Sequence, residues 1–253
     1  MDLGLVDRAY LVTAASSGLG RATAEQLVAE GARVVLVARR AEMLAEAVSR
    51  MGPDRAVALA ADLIDANTAE TACALVLDAF GRLDGALISV GGPPAGSVLG
   101  TTEEQWSSAF DSVFLAALRV SRAVVRHSTA SDLCLAWVLS TSVRAPIPGL
   151  ATSNGLRPGL GMLIKQLADE LGPNGTRVVG LMPGAIETDR RKYVDSLKDD
   201  PVAARTSAEA AIPLRRYGQP EEFGRVAAFL LSPAASYLTG SVIPVEGGAQ
   251  RGL

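Results

Sequence analysis

Short apolar runs alternate with amphipathic stretches along the whole chain. Tyr10-Leu11-Val12 closes an uninterrupted apolar run, and Arg21–Glu30 shows helical spacing that ends at Gly31. A second strand is expected at Arg33–Ala38. The same alternation predicts strands at Ala56–Ala61, Ala86–Ser89, Leu133–Leu139, Thr176–Met182 and Ser241–Val245. Helices are predicted at Glu42–Met51, Asn67–Phe80, Glu103–Arg126, Gly155–Leu171 and Pro220–Leu231. Strands that are apolar throughout, rather than on every second residue, belong to a sheet covered on both faces. The pattern therefore predicts an α/β fold: one doubly wound, seven-stranded parallel sheet with helices on both faces. Ligands of such sheets sit at the carboxyl ends of the strands.

Composition narrows the partners. The chain has 253 residues, 49% hydrophobic and 20% charged, enough to bury one large core as a single domain over residues 1–253. No linker, repeat or membrane-length apolar run interrupts it. The net charge of −3 speaks against nucleic acid as the main partner. Met1-Asp2-Leu3-Gly4-Leu5-Val6-Asp7 lacks the basic and apolar regions of a signal peptide, so a cytoplasmic location is expected. Cys73 and Cys134 lie in apolar stretches and are expected as buried free thiols, with no metal site. The single histidine, His127, falls at the end of a helical pattern, where a cation suits the helix terminus.

Thr13-Ala14-Ala15-Ser16-Ser17-Gly18-Leu19-Gly20 follows the first strand and opens the first helix. A glycine turn there lets the backbone approach a diphosphate, and the helix start offers it free N–H groups. The segment resembles the T-G-x-x-x-G-[IL]-G loop of the short-chain dehydrogenase/reductase family, with Ala14 in place of the first glycine. Further segments resemble the same family in order and spacing. Asp62-Leu63 follows the third strand where the family contacts adenine. Ile88-Ser89-Val90-Gly91 occupies the place of Asn-Asn-Ala-Gly, keeping only the glycine. Pro183-Gly184, then Ile186 and Thr188, is similar to the segment that holds the nicotinamide end. The tail from Gly218-Gln219-Pro220 to Gly247-Gly248 resembles the closing pattern. The resemblance covers nearly the whole chain and implies a Rossmann fold that binds a nicotinamide dinucleotide through Thr13, Ser16, Gly18, Leu19, Gly20, Asp62, Leu63, Gly91, Pro183, Gly184, Ile186 and Thr188.

Cofactor choice is legible after the second strand. A carboxylate at the strand's end would accept from the ribose 2′-OH of NAD, but Ala38 stands there, followed by Arg39 and Arg40. A guanidinium binds a 2′-phosphate through paired, charge-assisted bonds, so NADP is expected in preference to NAD. The competing reading is that the two arginines only solvate a helix start.

The active centre departs from the family. Leu167-Ala168-Asp169-Glu170-Leu171 resembles the run ending the catalytic helix, and this register puts Ser153 at the family's tyrosine and Arg157 at its lysine. Ser140 matches the family's serine, and Val113 stands where an asparagine would hold a water. A serine hydroxyl is a far weaker acid than a phenol, and arginine keeps a charge without relaying a proton. Pro158 falls inside the expected helix and should disturb its first turns.

Implied by the resemblance is a 3-oxoacyl-reductase-like, NADP-dependent oxidoreductase acting on a small carbonyl or alcohol, with Ser140, Ser153 and Arg157 at the catalytic positions and Arg157 also on the nicotinamide ribose. Two rescues of the missing proton donor stay open: Ser140, Ser153 or Ser142 passing a proton through water, or Tyr193, in a polar and mobile segment from Arg190 to Ala211, folding over the substrate as a lid. Two other readings stay open: an NADP-binding sensor or scaffold without turnover, and a non-redox lyase or isomerase. Arg144 either attracts an acidic substrate or faces solvent. The resemblance further implies a homotetramer, with Gly159, Leu160, Leu163 and Ile164 as an apolar assembly strip.

Overall fold

The computed structural model describes residues 2–196 and 198–252. Seven strands form one parallel sheet in the order β3-β2-β1-β4-β5-β6-β7. They are β1 (Ala9–Thr13), β2 (Arg33–Ala38), β3 (Ala56–Ala60), β4 (Gly85–Ile88), β5 (Cys134–Val138), β6 (Arg177–Pro183) and β7 (Ser241–Val245). Residues of a strand point alternately to the two faces, and here both faces are dry. Along β5, Cys134, Ala136 and Val138 enter one core with Leu27 and Phe223, while Leu135 and Trp137 enter the other with Val76, Val120 and Ile164. That double burial is why the strands read as continuous apolar runs.

One face is covered by α1 (Gly18–Ala29), α2 (Ala41–Met51) and α9 (Pro220–Leu231). The other is covered by α3 (Thr68–Phe80), α5 (Ala116–His127) and α6 (Ala151–Leu171). The expected long helix from Glu103 to Arg126 is interrupted. α4 (Glu103–Ala109) passes through a wider π-helical turn at Phe110–Leu115 before α5. Val113 is buried in that turn, so the position that resembles the family's asparagine serves the core. The start of α4 is fixed by a reciprocal cap, Gln105 N–H to Thr102 Oγ1 and Thr102 N–H to Gln105 Oε1.

Two expectations need correction. The segment from Arg190 to Ala211, where the apolar pattern predicts no helix, is mostly helical among its described residues. It holds α7 (Asp189–Ser196) and α8 (Pro201–Ala211), the latter started by Pro201 and by Asp200, whose carboxylate accepts from Ala203 N–H at 2.9 Å. Neither helix buries a residue, so neither carries the apolar stripe that sequence periodicity detects. α6 begins at Ala151, four residues before the predicted start, and runs through Pro158 to Leu171. Proline removes one N–H and crowds the preceding turn. The packing of Leu160, Ile164 and Ala168 on the sheet offsets this.

A third correction concerns the assembly strip. Leu160 and Ile164, one turn apart, face the protein's own sheet and are buried. Gly159 is covered by Phe114, whose ring lies 3.2 Å from where a β-carbon would be. Met162 on α6 and Phe110 in the π-helical turn are open to solvent.

Candidate active site

The order of the sheet creates the cleft. After β3 the chain crosses to the far side of β1 and begins β4, so the loops following β1 and β4 diverge from a common crevice. Thr13 holds that crevice together: its Oγ1 donates to Ser89 O at 2.6 Å and accepts from Ser89 N–H at 2.9 Å. Thr13 thereby fastens the end of β1 to the end of β4.

The glycine loop has the shape an anion requires. Gly18 takes φ +58°, and Gly20 is enclosed so tightly that a β-carbon would lie 2.7 Å from Ala14 O. Ala14 itself adopts φ +51°, a left-handed conformation costly for a residue with a β-carbon. α1 starts here with no side-chain cap and no acidic residue in its first turn. Ser17, the residue before the helix, instead has its hydroxyl engaged by Arg40. The free N–H groups and positive end of α1 therefore remain for a ligand, and the cradle fits a diphosphate.

Arg40 donates to Ser16 Oγ at 2.9 and 3.2 Å and to Ser17 Oγ at 2.6 Å, lying over the loop. Arg39 is 78% exposed and only loosely paired with Asp62, at 3.8 Å. Asp62 caps its own turn by accepting from Ile64 N–H at 3.1 Å, and Leu63 packs on the core. Across the cleft, Gly184 at the end of β6 donates to Val245 O at 3.0 Å, and Ile186 is buried. Thr188 approaches Gly18, its methyl 3.4 Å from the position of an added β-carbon. Gly91 has open space around it. Thr13, Ser16, Gly18, Leu19, Gly20 and Arg40 thus gather on one side of the crevice, and Pro183, Gly184, Ile186 and Thr188 on the other.

The third group sits at the end of β5. Ser140 opens a short 3₁₀ turn at Thr141–Val143, its hydroxyl accepting from Ser142 N–H at 3.2 Å. Ser142 and Ser153 are both buried, with their hydroxyl oxygens 3.1 Å apart. Arg157, one turn further along α6, is 6% exposed and donates to Val138 O at 2.8 Å. Burial, reinforced by the nearby Arg190, pulls its guanidinium down to about 10, so it stays charged at neutral pH. The structure thus brings Ser140, Ser142, Ser153 and Arg157 together at the end of β5, as a buried hydroxyl pair beside a buried cation.

Other residues have settled places. Asn154 bonds both polar groups of Ile147, tying the loop after β5 to α6. That loop and the one after β4 enclose an apolar groove of about 310 Å³, lined by Gly96, Val98, Pro146, Ile147 and Ala151. Arg144 is exposed. Tyr193 is half exposed on α7, its ring 5.5 Å from Arg190. Sequence reasoning missed Arg190 and Ser17. Arg190, on α7, donates to Pro93 O at 2.6 Å, a contact with the loop after β4 across 97 residues of sequence that no local pattern announces. His127 ends α5 beside Glu70, at 2.8 Å, and both cysteines are buried and free. Among the described residues there is no metal-binding cluster and no helix long and apolar enough to cross a membrane.

Fold and crevice define an α/β protein of the Rossmann class. A family model described as enoyl-(acyl carrier protein) reductase matches residues 13–250. The chain is 31% identical over 250 residues to a 3-oxoacyl-(acyl-carrier-protein) reductase of Vibrio cholerae, covering 97% of this chain and 98% of that one. The L-sorbose reductase of Gluconobacter frateurii, solved with NADPH and L-sorbose, superposes with a TM-score of 0.93 at 29% identity, covering 100% of both chains. An NADPH-bound short chain oxidoreductase from Pseudomonas aeruginosa PAO1, described as containing an atypical catalytic center, gives 0.90 at 29% identity, covering 98% of this chain and 99% of that one. The chain belongs to the short-chain dehydrogenase/reductase family of oxidoreductases.

Proposed function

We propose that this protein is an NADP-dependent oxidoreductase of atypical active site that acts on a small carbonyl or alcohol substrate, in the style of the 3-oxoacyl reductases. The observation that carries the reading is the pairing of an uncapped, glycine-lined start of α1 with a charged, buried Arg157 across the same cleft. Ser16, Gly18, Leu19 and Gly20 would hold the diphosphate. Arg39 would hold the 2′-phosphate while Arg40 braces the loop at Ser16 and Ser17, and Asp62 and Leu63 would hold the adenine. Gly91, Pro183, Gly184, Ile186 and Thr188 would position the nicotinamide end. NADPH, when bound, supplies the hydride.

The chain's own residues must then handle the oxygen. Ser140 donates to the substrate carbonyl, and the permanent charge of Arg157 seats the ribose and stabilises negative charge growing on that oxygen. Proton delivery is the weak step. A general acid contributes about 10²–10⁴-fold, and the Ser142–Ser153 hydroxyl pair can only pass a proton onward from water. Slow turnover is therefore expected, with orientation in the cleft supplying most of the acceleration. The apolar groove beside Ala151 takes the carbon portion of the substrate.

The reading includes a cytoplasmic homotetramer built on two-fold axes, with Phe110 and Met162 on one contact face. NADPH binding followed by quenching of Trp106 and Trp137, then a panel of carbonyls followed through nicotinamide absorbance, tests it. Tight binding with turnover of at least one carbonyl is expected. Tight binding with no turnover on any would favour a nucleotide sensor or scaffold.

A further inference from the structure

Two guanidinium groups meet above the carboxyl end of β5, and among the described residues no carboxylate pairs with either. Arg157 arrives from α6 and donates to Val138 O, on the last residue of β5. Arg190 arrives from the segment after β6 and donates to Pro93 O, in the loop after β4. It presses on that loop closely enough that a β-carbon at Gly92 would lie 2.7 Å from its Nε. Because β5 lies between β4 and β6, the Arg190 side chain spans the very strand end at which Arg157 is held. Burial lowers both groups, and Arg190 lowers Arg157 further. Each guanidinium has five N–H donors. Among the described residues each makes one hydrogen bond to a carbonyl, and neither is paired with an acid. Like charges held together in a partly dry cleft are costly unless something negative joins them.

We propose that this pair receives the carboxylate of an acidic carbonyl substrate, with Arg190 as the principal contact. The inference rests on the reading of the cleft as a carbonyl reductase. The cofactor's diphosphate is a poorer candidate, because its cradle lies at the end of β1 and β4 intervenes before β5. With strands about 4.8 Å apart, the offset is roughly 10 Å. Arg190 offers a planar fork for two parallel bonds to a carboxylate, and Arg157 adds charge from beneath while keeping donors for the ribose.

The test compares acetoacetate with methyl acetoacetate, titrated calorimetrically into the NADP-loaded protein at constant ionic strength. The acid should bind about tenfold or more tightly than the ester, and Arg190→Met should cost the acid about 10- to 100-fold while NADPH and the ester change by less than about twofold. Arg190→Lys should recover part of the loss. Equal binding of acid and ester, or an Arg190→Met variant that loses NADPH as severely as acetoacetate, would overturn the proposal. Nicotinamide absorbance separates the two readings. Reduction of the ester without any preference for the acid sinks only the carboxylate site, whereas a retained preference with no NADPH oxidised on either compound sinks only the reductase reading. A protein that holds no NADP overturns both.

Discussion

Arg39→Ala and Arg40→Ala should have opposite signatures, because the two neighbours are held so differently. Arg39 is 78% exposed and its nearest acid, Asp62, is 3.8 Å away and itself about half exposed. A surface pair of that kind contributes at most about 1 kcal/mol, so removing Arg39 should leave the fold intact. Against a 2′-phosphate, however, a freely placed guanidinium makes charge-assisted bonds worth about 1.5–3 kcal/mol, roughly ten- to a hundredfold in affinity. NADPH should lose that factor in Arg39→Ala, and NADH, which lacks the phosphate, should lose almost nothing. Arg40 is different, since its guanidinium clamps Ser16 and Ser17 at the diphosphate cradle. Arg40→Ala should therefore weaken NADPH and NADH together. Tryptophan quenching titrations with both nucleotides on both variants read this directly, and higher salt should shrink the NADPH advantage of the parent. An unchanged NADPH/NADH ratio in Arg39→Ala would refute the placement of the phosphate. A selective NADPH loss confined to Arg40→Ala would move the site one residue along.

Three further outcomes are expected. Ala14 holds φ +51°, so Ala14→Gly should relieve about 0.5–1 kcal/mol of strain and raise the melting temperature by about 2 °C, measured by circular dichroism. Glu222 at the start of α9 is drawn from 4.5 to about 2, first by Arg216 and then by Gln219 N–H. A folded value below the unfolded one gives stability that is present above about 4.5 and lost as pH falls towards about 2. Denaturation of Glu222→Gln should accordingly show a loss of less than about 1 kcal/mol near pH 7 that vanishes near pH 2. Light scattering at micromolar concentration should give a tetramer, and Met162→Asp should weaken it; a monomeric parent would refute that assembly.

The sheet was legible because its central strands, β1, β4, β5 and β6, are buried almost throughout on both sides, which writes a continuous apolar run that needs no knowledge of its partner. The shape of the glycine loop was legible for a related reason: Gly18 and Gly20 are demanded locally, by a positive φ and by contact with Ala14 O. Surface helices α7 and α8 were not, since they bury nothing and so carry no stripe. Leu160 and Ile164 were misplaced because an apolar strip on α6 does not say which neighbour it meets, and here the neighbour is the protein's own sheet. Arg190 was hidden for the same reason. Its position depends on the approach of α7 to the loop after β4, which only the folded sheet brings together.

NADPH-dependent reduction of ethyl acetoacetate by the parent, Ser140→Ala and Ser153→Ala, with NADPH affinity measured in parallel, addresses the central claim that this cleft reduces carbonyls without a tyrosine. The expected result is slow turnover in the parent, a fall of about 100-fold or more in Ser140→Ala, and a change of only severalfold in Ser153→Ala, at unaltered NADPH affinity in all three. Turnover indifferent to Ser140→Ala, or none in a parent that binds NADPH tightly, would contradict it.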